Sequence, residues 1–192
     1  KNSDHILDLG LNKSHGLADS KSGSKTHFFS KSDINLNLEN FDFGNINFQL
    51  QQTSNKTYLK TYKPSSPLIT DNSTLSSYLK LELYDDDLSV DASTEVFEDL
   101  SKGESDKYEY VLPNFGIKKR VKINNLGGDL YFKASGNQRL YNTNVKESLL
   151  VNDIIYESKK FFTEKGLVNN YNFILKNVNT DANNSSTVKN KK

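Results

Sequence analysis

The segment "INLNLENFDFGNINFQLQQ" (residues 34–52) sets apolar side chains two apart in both of its halves. Ile34, Leu36 and Leu38 alternate with Asn35, Asn37 and Glu39, and Ile46, Phe48 and Leu50 alternate with Asn47, Gln49 and Gln51. Successive side chains of a strand point to opposite faces, so each half reads as a strand with one apolar and one amide-rich face. Between them "DFGN" (residues 42–45) supplies turn residues, which predicts a hairpin.

The same grammar continues outward. "YLKLELY" (78–84) alternates Leu79, Leu81 and Leu83 with Lys80 and Glu82 and runs into the acidic turn Asp85-Asp86-Asp87. "LSVDASTEVF" returns, "KGESD" (102–106) makes a polar connection, and "YEYVLPNFGIKKRVKI" (108–123) is interrupted at Pro113. Gly127-Gly128 suits a tight hairpin turn before "LYFKAS", and "NYNFILK" (170–176) alternates again. Only residues 148–162 also approach helical spacing, and the β-branched Val151, Ile154 and Ile155 favour a strand there. The expected fold is all-β, an antiparallel up-and-down meander spanning residues 33–178. Residues 1–32, rich in Ser, Lys, Gly and Asp, read as a loop-like or irregular lead-in, and residues 179–192 as a disordered polar tail or an extramembrane loop.

Hydrophobic residues make up 34% of the 192-residue chain while Phe and Tyr raise the aromatics to 11%. That balance suits a sheet whose two faces meet different media better than a packed soluble core. A net charge of +1 argues against a nucleic-acid partner by bulk charge. Cys is absent, which removes disulfides and thiolate metal sites, and Met is absent even at position 1, so the chain reads as a piece of a longer protein. No apolar run approaches the ~20 residues of a membrane-spanning helix, a test that leaves a membrane β-barrel open. A sandwich and a barrel produce the same alternation. Amide ladders on the polar faces and tyrosines near the expected strand ends (Tyr58, Tyr62, Tyr78, Tyr84, Tyr108 and Tyr110) suit a barrel with a wet lumen and aromatic girdles.

Catalytic chemistry finds no foothold in the pattern. His5, His15 and His27 fall in the lead-in without metal-ligand spacing and read as exposed loop residues. Asp85, Asp86 and Asp87 lack the spacing of a calcium loop, and Glu95, Glu98 and Asp99 are carboxylates without a recognisable pairing. The expectation is a non-enzyme with no cofactor and no metal. Lys118, Lys119, Arg120 and Lys122 form a basic run, which offers a candidate contact for lipid phosphate.

The remaining stretch, "NKTYLKTYKPSSPLI" (55–69), resists a simple face assignment. As a strand it places Lys56, Tyr58, Lys60 and Tyr62 on one side and Thr57, Leu59 and Thr61 on the other. Thr57, Tyr58, Leu59, Lys60 and Tyr62, followed by "PLITDNSTLSSYLKL", by Phe97 to Leu100 closing a strand, and by "YEYVLP" (Tyr108, Tyr110, Leu112, Pro113), resemble in order and spacing the barrel region of the outer-membrane lipopolysaccharide-assembly proteins of the LptD, or organic-solvent-tolerance, family. The resemblance covers residues 45–123 best, and "GLVNNYNFIL" (166–175) suits a later strand of that family. Asn55 stands where the family usually carries an acid, and Thr61 where it carries a second cation.

The resemblance implies part of a large transmembrane β-barrel in the outer membrane of a Gram-negative bacterium. It would deliver lipopolysaccharide to the outer leaflet without covalent catalysis, with an LptE-like lipoprotein plug, a periplasmic bridge protein and outer-membrane lipids as partners. From the residues alone, the alternative is a secreted β-sandwich that binds glycans or proteins at a cell surface.

Overall fold

The computed structural model describes residues 3–14, 23–103, 106–123, 127–142 and 144–187. Nine long strands form one antiparallel sheet in chain order: β1 (Ser3–Ser14), β2 (Gly23–Asn35), β3 (Phe43–Thr53), β4 (Thr74–Tyr84), β5 (Leu88–Asp99), β6 (Tyr108–Ile123), β7 (Gly128–Tyr141), β8 (Val145–Ser158) and β11 (Asn172–Asn183). A two-residue pair, β9 (Phe161–Phe162) with β10 (Val168–Asn169), lies within the β8–β11 connection. One short helix, α1 (Tyr58–Tyr62), interrupts the β3–β4 connection. The all-β meander expected from the alternation is the fold, and residues 148–162 are strand through Ser158.

The register separates two chemistries. Ile34, Ile46, Leu81, Ala92, Phe115, Gly136 and Leu150 are successive cross-strand partners from β2 to β8. One position along, on the opposite face, runs the row Asp33, Asn47, Lys80, Ser93, Asn114 and Asn137. Period-two alternation therefore places an apolar and a polar surface back to back from β2 to β7, after which the polar row meets Leu149 on β8. The apolar face has little of this chain over it: Leu79 is 50% exposed, and Leu9 and Phe173 are more so. β6 carries an irregularity between Val111 and Asn114, where Pro113 sits, and the added residue restores the alternation on both sides of it.

Several expectations shift. The loop-like lead-in is largely two paired strands, β1 and β2, joined in register from Ser3↔Ile34 to Ser14↔Gly23, while residues 15–22 of the same reading lie outside the described residues. Its Ser- and Lys-rich composition hid alternating apolar positions (Leu7, Leu9 and Leu11 opposite Ser30, Phe28 and Thr26) that belong to the apolar face. The first strand of the expected hairpin ends at Asn35 rather than continuing through Glu39, and the turn placed at residues 42–45 falls earlier, over 36–42, because Ile34 pairs with Ile46 and β3 starts at Phe43; the Leu36 N–H donates to the Gly44 carbonyl at 2.7 Å. The tail is strand as far as Asn183, and residues 188–192 lie outside the described residues. Of the glycine turn, Gly127 has a φ of 63° that favours glycine and Gly128 opens β7; residues 124–126 lie outside the described residues.

The stretch 55–69 is not a strand at all. Its centre is α1, so Thr57, Tyr58, Leu59, Lys60 and Tyr62 are not wall residues but part of an insert that packs on the sheet.

Candidate functional site

The buried apolar residues gather at one end of the sheet, where the β3–β4 pairing stops at Gln49↔Tyr78. There the insert, residues 54–73, folds back over the polar face. Asn55 starts its turn by accepting hydrogen bonds from the Thr57 N–H (3.0 Å) and hydroxyl (2.9 Å). α1 then presents Tyr58 and Leu59 to the sheet, with Tyr62 beside them, and ends at Lys63, whose left-handed backbone (φ 42°) precedes Pro64. Leu59 and Phe29 are fully buried, and Leu68, Leu75 and Leu100 complete the cluster.

Polar groups tie the insert down on two sides. The Gln51 amide donates to the Leu68 carbonyl at 2.6 Å and its oxygen accepts from the Ser76 N–H at 2.7 Å, so one buried side chain bridges β3, β4 and the insert. On the other side the His27 ring lies between Asp8 of β1 and Tyr58 of α1, with Nε2 3.1 Å from the Asp8 carboxylate and Nδ1 2.9 Å from the Tyr58 hydroxyl. A carboxylate only accepts, so Nε2 donates to it, and in the neutral ring Nδ1 accepts from Tyr58. The ring also stacks on Phe29 at 4.7 Å. Burial first, and then the neighbouring Tyr62 and Asp8, push the Tyr58 phenol above its ordinary range.

The histidines therefore part company with the exposed-loop reading. His27 is buried in β2, and His5 lies on the exposed β1 strand 2.9 Å from the Ser32 hydroxyl. His15 falls outside the described residues. The close fit over His27 has a requirement: a Cβ at Gly10, its partner on β1, would collide with the imidazole and meet the Tyr58 hydroxyl at 3.0 Å. Gly10→Ala should destabilise the folded protein by about 1–3 kcal/mol through overpacking, read as an earlier midpoint in urea.

The basic run divides between the two faces. Alternation in β6 puts Lys118, Arg120 and Lys122 on the polar face and Lys119 on the apolar one, next to Leu88 and Phe132. Lys118 sits 5.3 Å over the Tyr131 ring, and Arg120 binds Asp87 of the β4–β5 turn at 2.6 Å. That hydrogen bond, assisted by the nearby cations, holds the Asp87 carboxyl below the ordinary carboxylate range. Because the folded-state value is the lowered one, the contact contributes at pH values above the ordinary range, near 4, and is lost as pH falls through the lowered value. The Asp87 carboxyl carbon should titrate below ~4 in an NMR pH series, and Arg120→Ala should return it to the ordinary value.

The carboxylates singled out from sequence are also engaged: Glu95 with Lys80 (3.3 Å), Glu98 with Lys107 (3.2 Å) and Asp99 with the Ser101 hydroxyl. No group of three or more metal-ligating side chains occurs among the described residues.

The sequence reading missed the insert's role because aromatic residues at 58 and 62 fit helical i, i+4 spacing as well as strand alternation. Pro64, close behind, was the signal that the extended reading overlooked. No protein-family model matches the chain, and a search of curated proteins finds no match.

Proposed function

We propose that the chain is part of the wall of a transmembrane β-barrel in the outer membrane of a Gram-negative bacterium, and that the barrel carries lipopolysaccharide to the outer leaflet. The observation that carries the membrane reading is the continuous apolar row from Ile34 to Leu150, set against a polar row on the reverse face. In water such a face would stand open across nine strands; in a bilayer it meets acyl chains while the polar face lines a wet lumen.

Strand length agrees with this reading. The nine strands of the large sheet run from 11 to 16 residues, enough for a tilted span, which needs ~9–11. No helix among the described residues is long and apolar enough to cross a membrane, which says nothing of strands.

Several charges of the polar face are paired, Lys80 with Glu95, Arg139 with Glu109 (2.7 Å) and Lys176 with Asp153 (3.8 Å), a pattern suited to a hydrated wall. The first and ninth strands of an antiparallel meander run in the same direction, so β1 and β11 cannot close on each other antiparallel. In this reading each edge pairs with further strands of a larger barrel, because an open edge is not tolerated in lipid.

Lipopolysaccharide as cargo, the lipoprotein plug and the periplasmic bridge rest on the family resemblance. That resemblance reads Thr57 to Tyr62 as a wall strand, whereas these residues form the insert on the polar face. A surface-binding sandwich would need a second sheet against the apolar face, and the other sheet among the described residues has two strands of two residues.

The test is recovery of the chain with its native flanks from fractionated cells. The proposal expects it in the outer membrane, migrating differently on gels before and after heating and crosslinking to lipopolysaccharide. Recovery as a detergent-free soluble monomer would overturn the membrane reading; membrane recovery without lipopolysaccharide crosslinks would overturn the cargo.

A further inference from the structure

The polar face holds a depression of about 230 Å³ between β5 and β8, lined by Ser89, Asp91, Lys118, Lys133, Ser135 and Asp153. Register builds it from two rows. Ser89, Lys118, Lys133 and Asp153 are successive cross-strand partners, and Asp91, Gly116, Ser135 and Val151 form the next row on the same face. Gly116 and Ser135 make a low floor. The Asp91 carboxylate lies across part of it: a Cβ at Gly116 would meet the Asp91 Oδ2 at 2.6 Å. Two lysines thus stand along one side of the floor, with an acid toward each end.

These charges do not satisfy one another. The Asp153 side chain is 14% exposed, and Lys176 stands 3.8 Å from its Oδ2, too far for a hydrogen bond. Its Oδ1 is buried and accepts no hydrogen bond among the described residues. Lys133 is the direct neighbour of Asp153 across the β7–β8 ladder, yet it is exposed and no ion pair joins the two. Lys118 rests over the Tyr131 ring at 5.3 Å. A buried carboxylate oxygen without a donor is destabilising, and a bound group that donates to it removes that penalty.

We infer that this depression binds a small zwitterion, with its carboxylate on Lys118 and Lys133 and its primary ammonium on Asp153. Side chains directly opposite in an antiparallel ladder have Cβ atoms about 4.5–5.5 Å apart, so a ligand bridging Lys133 and Asp153 must carry its two charges close together. A free α-amino acid does so, because its ammonium and carboxylate share one carbon. The ammonium donates to the Asp153 Oδ1, and the carboxylate accepts from the lysines, both as charge-assisted hydrogen bonds. Val151, which also lines the depression, offers apolar contact to a short side chain. The site does not rest on the barrel reading, since the polar face is wet in a lumen and in bulk water alike.

Calorimetric titration of the full chain in detergent micelles tests it with three probes. These are L-alanine, N-acetyl-L-alanine, which keeps only the carboxylate, and L-alaninamide, which keeps only the ammonium. L-alanine should bind saturably and each derivative about tenfold or more weakly, because each loses one charge-assisted contact. Lys133→Gln should weaken L-alanine about tenfold and should not weaken L-alaninamide. Asp153→Asn should weaken L-alanine by a similar factor and should not weaken N-acetyl-L-alanine. Lys133 is exposed and Asn keeps the shape of Asp153, so β-rich circular dichroism should persist in both variants.

No saturable heat with L-alanine, or an affinity that neither variant changes, would overturn the site. N-acetyl-L-alanine binding as tightly as L-alanine would overturn the zwitterion. A chain that stays soluble without detergent and still binds L-alanine in this pattern would overturn the barrel and leave the site standing.

Discussion

Leu79→Arg should prevent stable insertion of this protein into lipid vesicles, at a cost of about 2–4 kcal/mol if the position lies near the bilayer midplane. Leu79 lies on β4, with Phe48 on one side and Thr94 on the other, and half of its surface is exposed. In an aqueous protein a substitution at so exposed a position changes stability by about 0.5 kcal/mol or less. The two media therefore give different answers to one substitution. Asn114→Arg provides the control. Asn114 is exposed on the polar face two strands away, where it donates to the Ser93 hydroxyl at 3.3 Å, and a cation there would remain in water. Folding yields in vesicles of defined thickness should fall for Leu79→Arg and stay near wild type for Asn114→Arg. Equal yields would count against lipid contact on β4.

Leu59→Ala should release the insert and leave the sheet in place. Leu59 is fully buried in a cluster of six side chains, so removing its isobutyl group leaves a cavity that few neighbours can collapse to fill. The expected loss is about 2–5 kcal/mol, concentrated in the docking of residues 54–73, because the nine strands are tied by their own ladder. Trypsin reports it directly. Lys56, Lys60 and Lys63 are exposed in the native insert but held in a turn and a helix, geometries that proteases cut slowly. Cleavage there should accelerate sharply in Leu59→Ala while heat-modifiable migration persists. Loss of that migration together with the insert would mean that the insert is part of what folds the wall.

What could be read from the residues follows what alternation encodes. Strands β3, β4 and β5, with Ile-x-Phe-x-Leu, Leu-x-Leu-x-Leu and Leu-x-Val-x-Ala spacing, were legible because sheet packing imposes the same period. β1 was not, since Leu7, Leu9 and Leu11 are diluted by charged and glycine neighbours that suit a polar face but resemble a loop. The insert failed for a different reason. Tyr58, Lys60 and Tyr62 alternate as in a strand, and the burial of Leu59 with Tyr58 on one flank reveals the helix that Pro64 alone only hints at. Burial is a tertiary property, set by Phe29 on β2 and Leu75 on β4, residues far from the insert in sequence. The His27–Asp8–Tyr58 contact was invisible for the same reason: it joins β1, β2 and α1 through register, and no local spacing announces it.

The central claim is that the two faces of one sheet meet different media. The chain has no cysteine, so single cysteines at Leu79 on the apolar face and Asn114 on the polar face can be labelled with an environment-sensitive fluorophore without background. In the vesicle-inserted protein, brominated lipids should quench the label at 79 and leave the one at 114 bright, while aqueous iodide should do the reverse. Iodide quenching both labels alike, with brominated lipid quenching neither, would contradict the account.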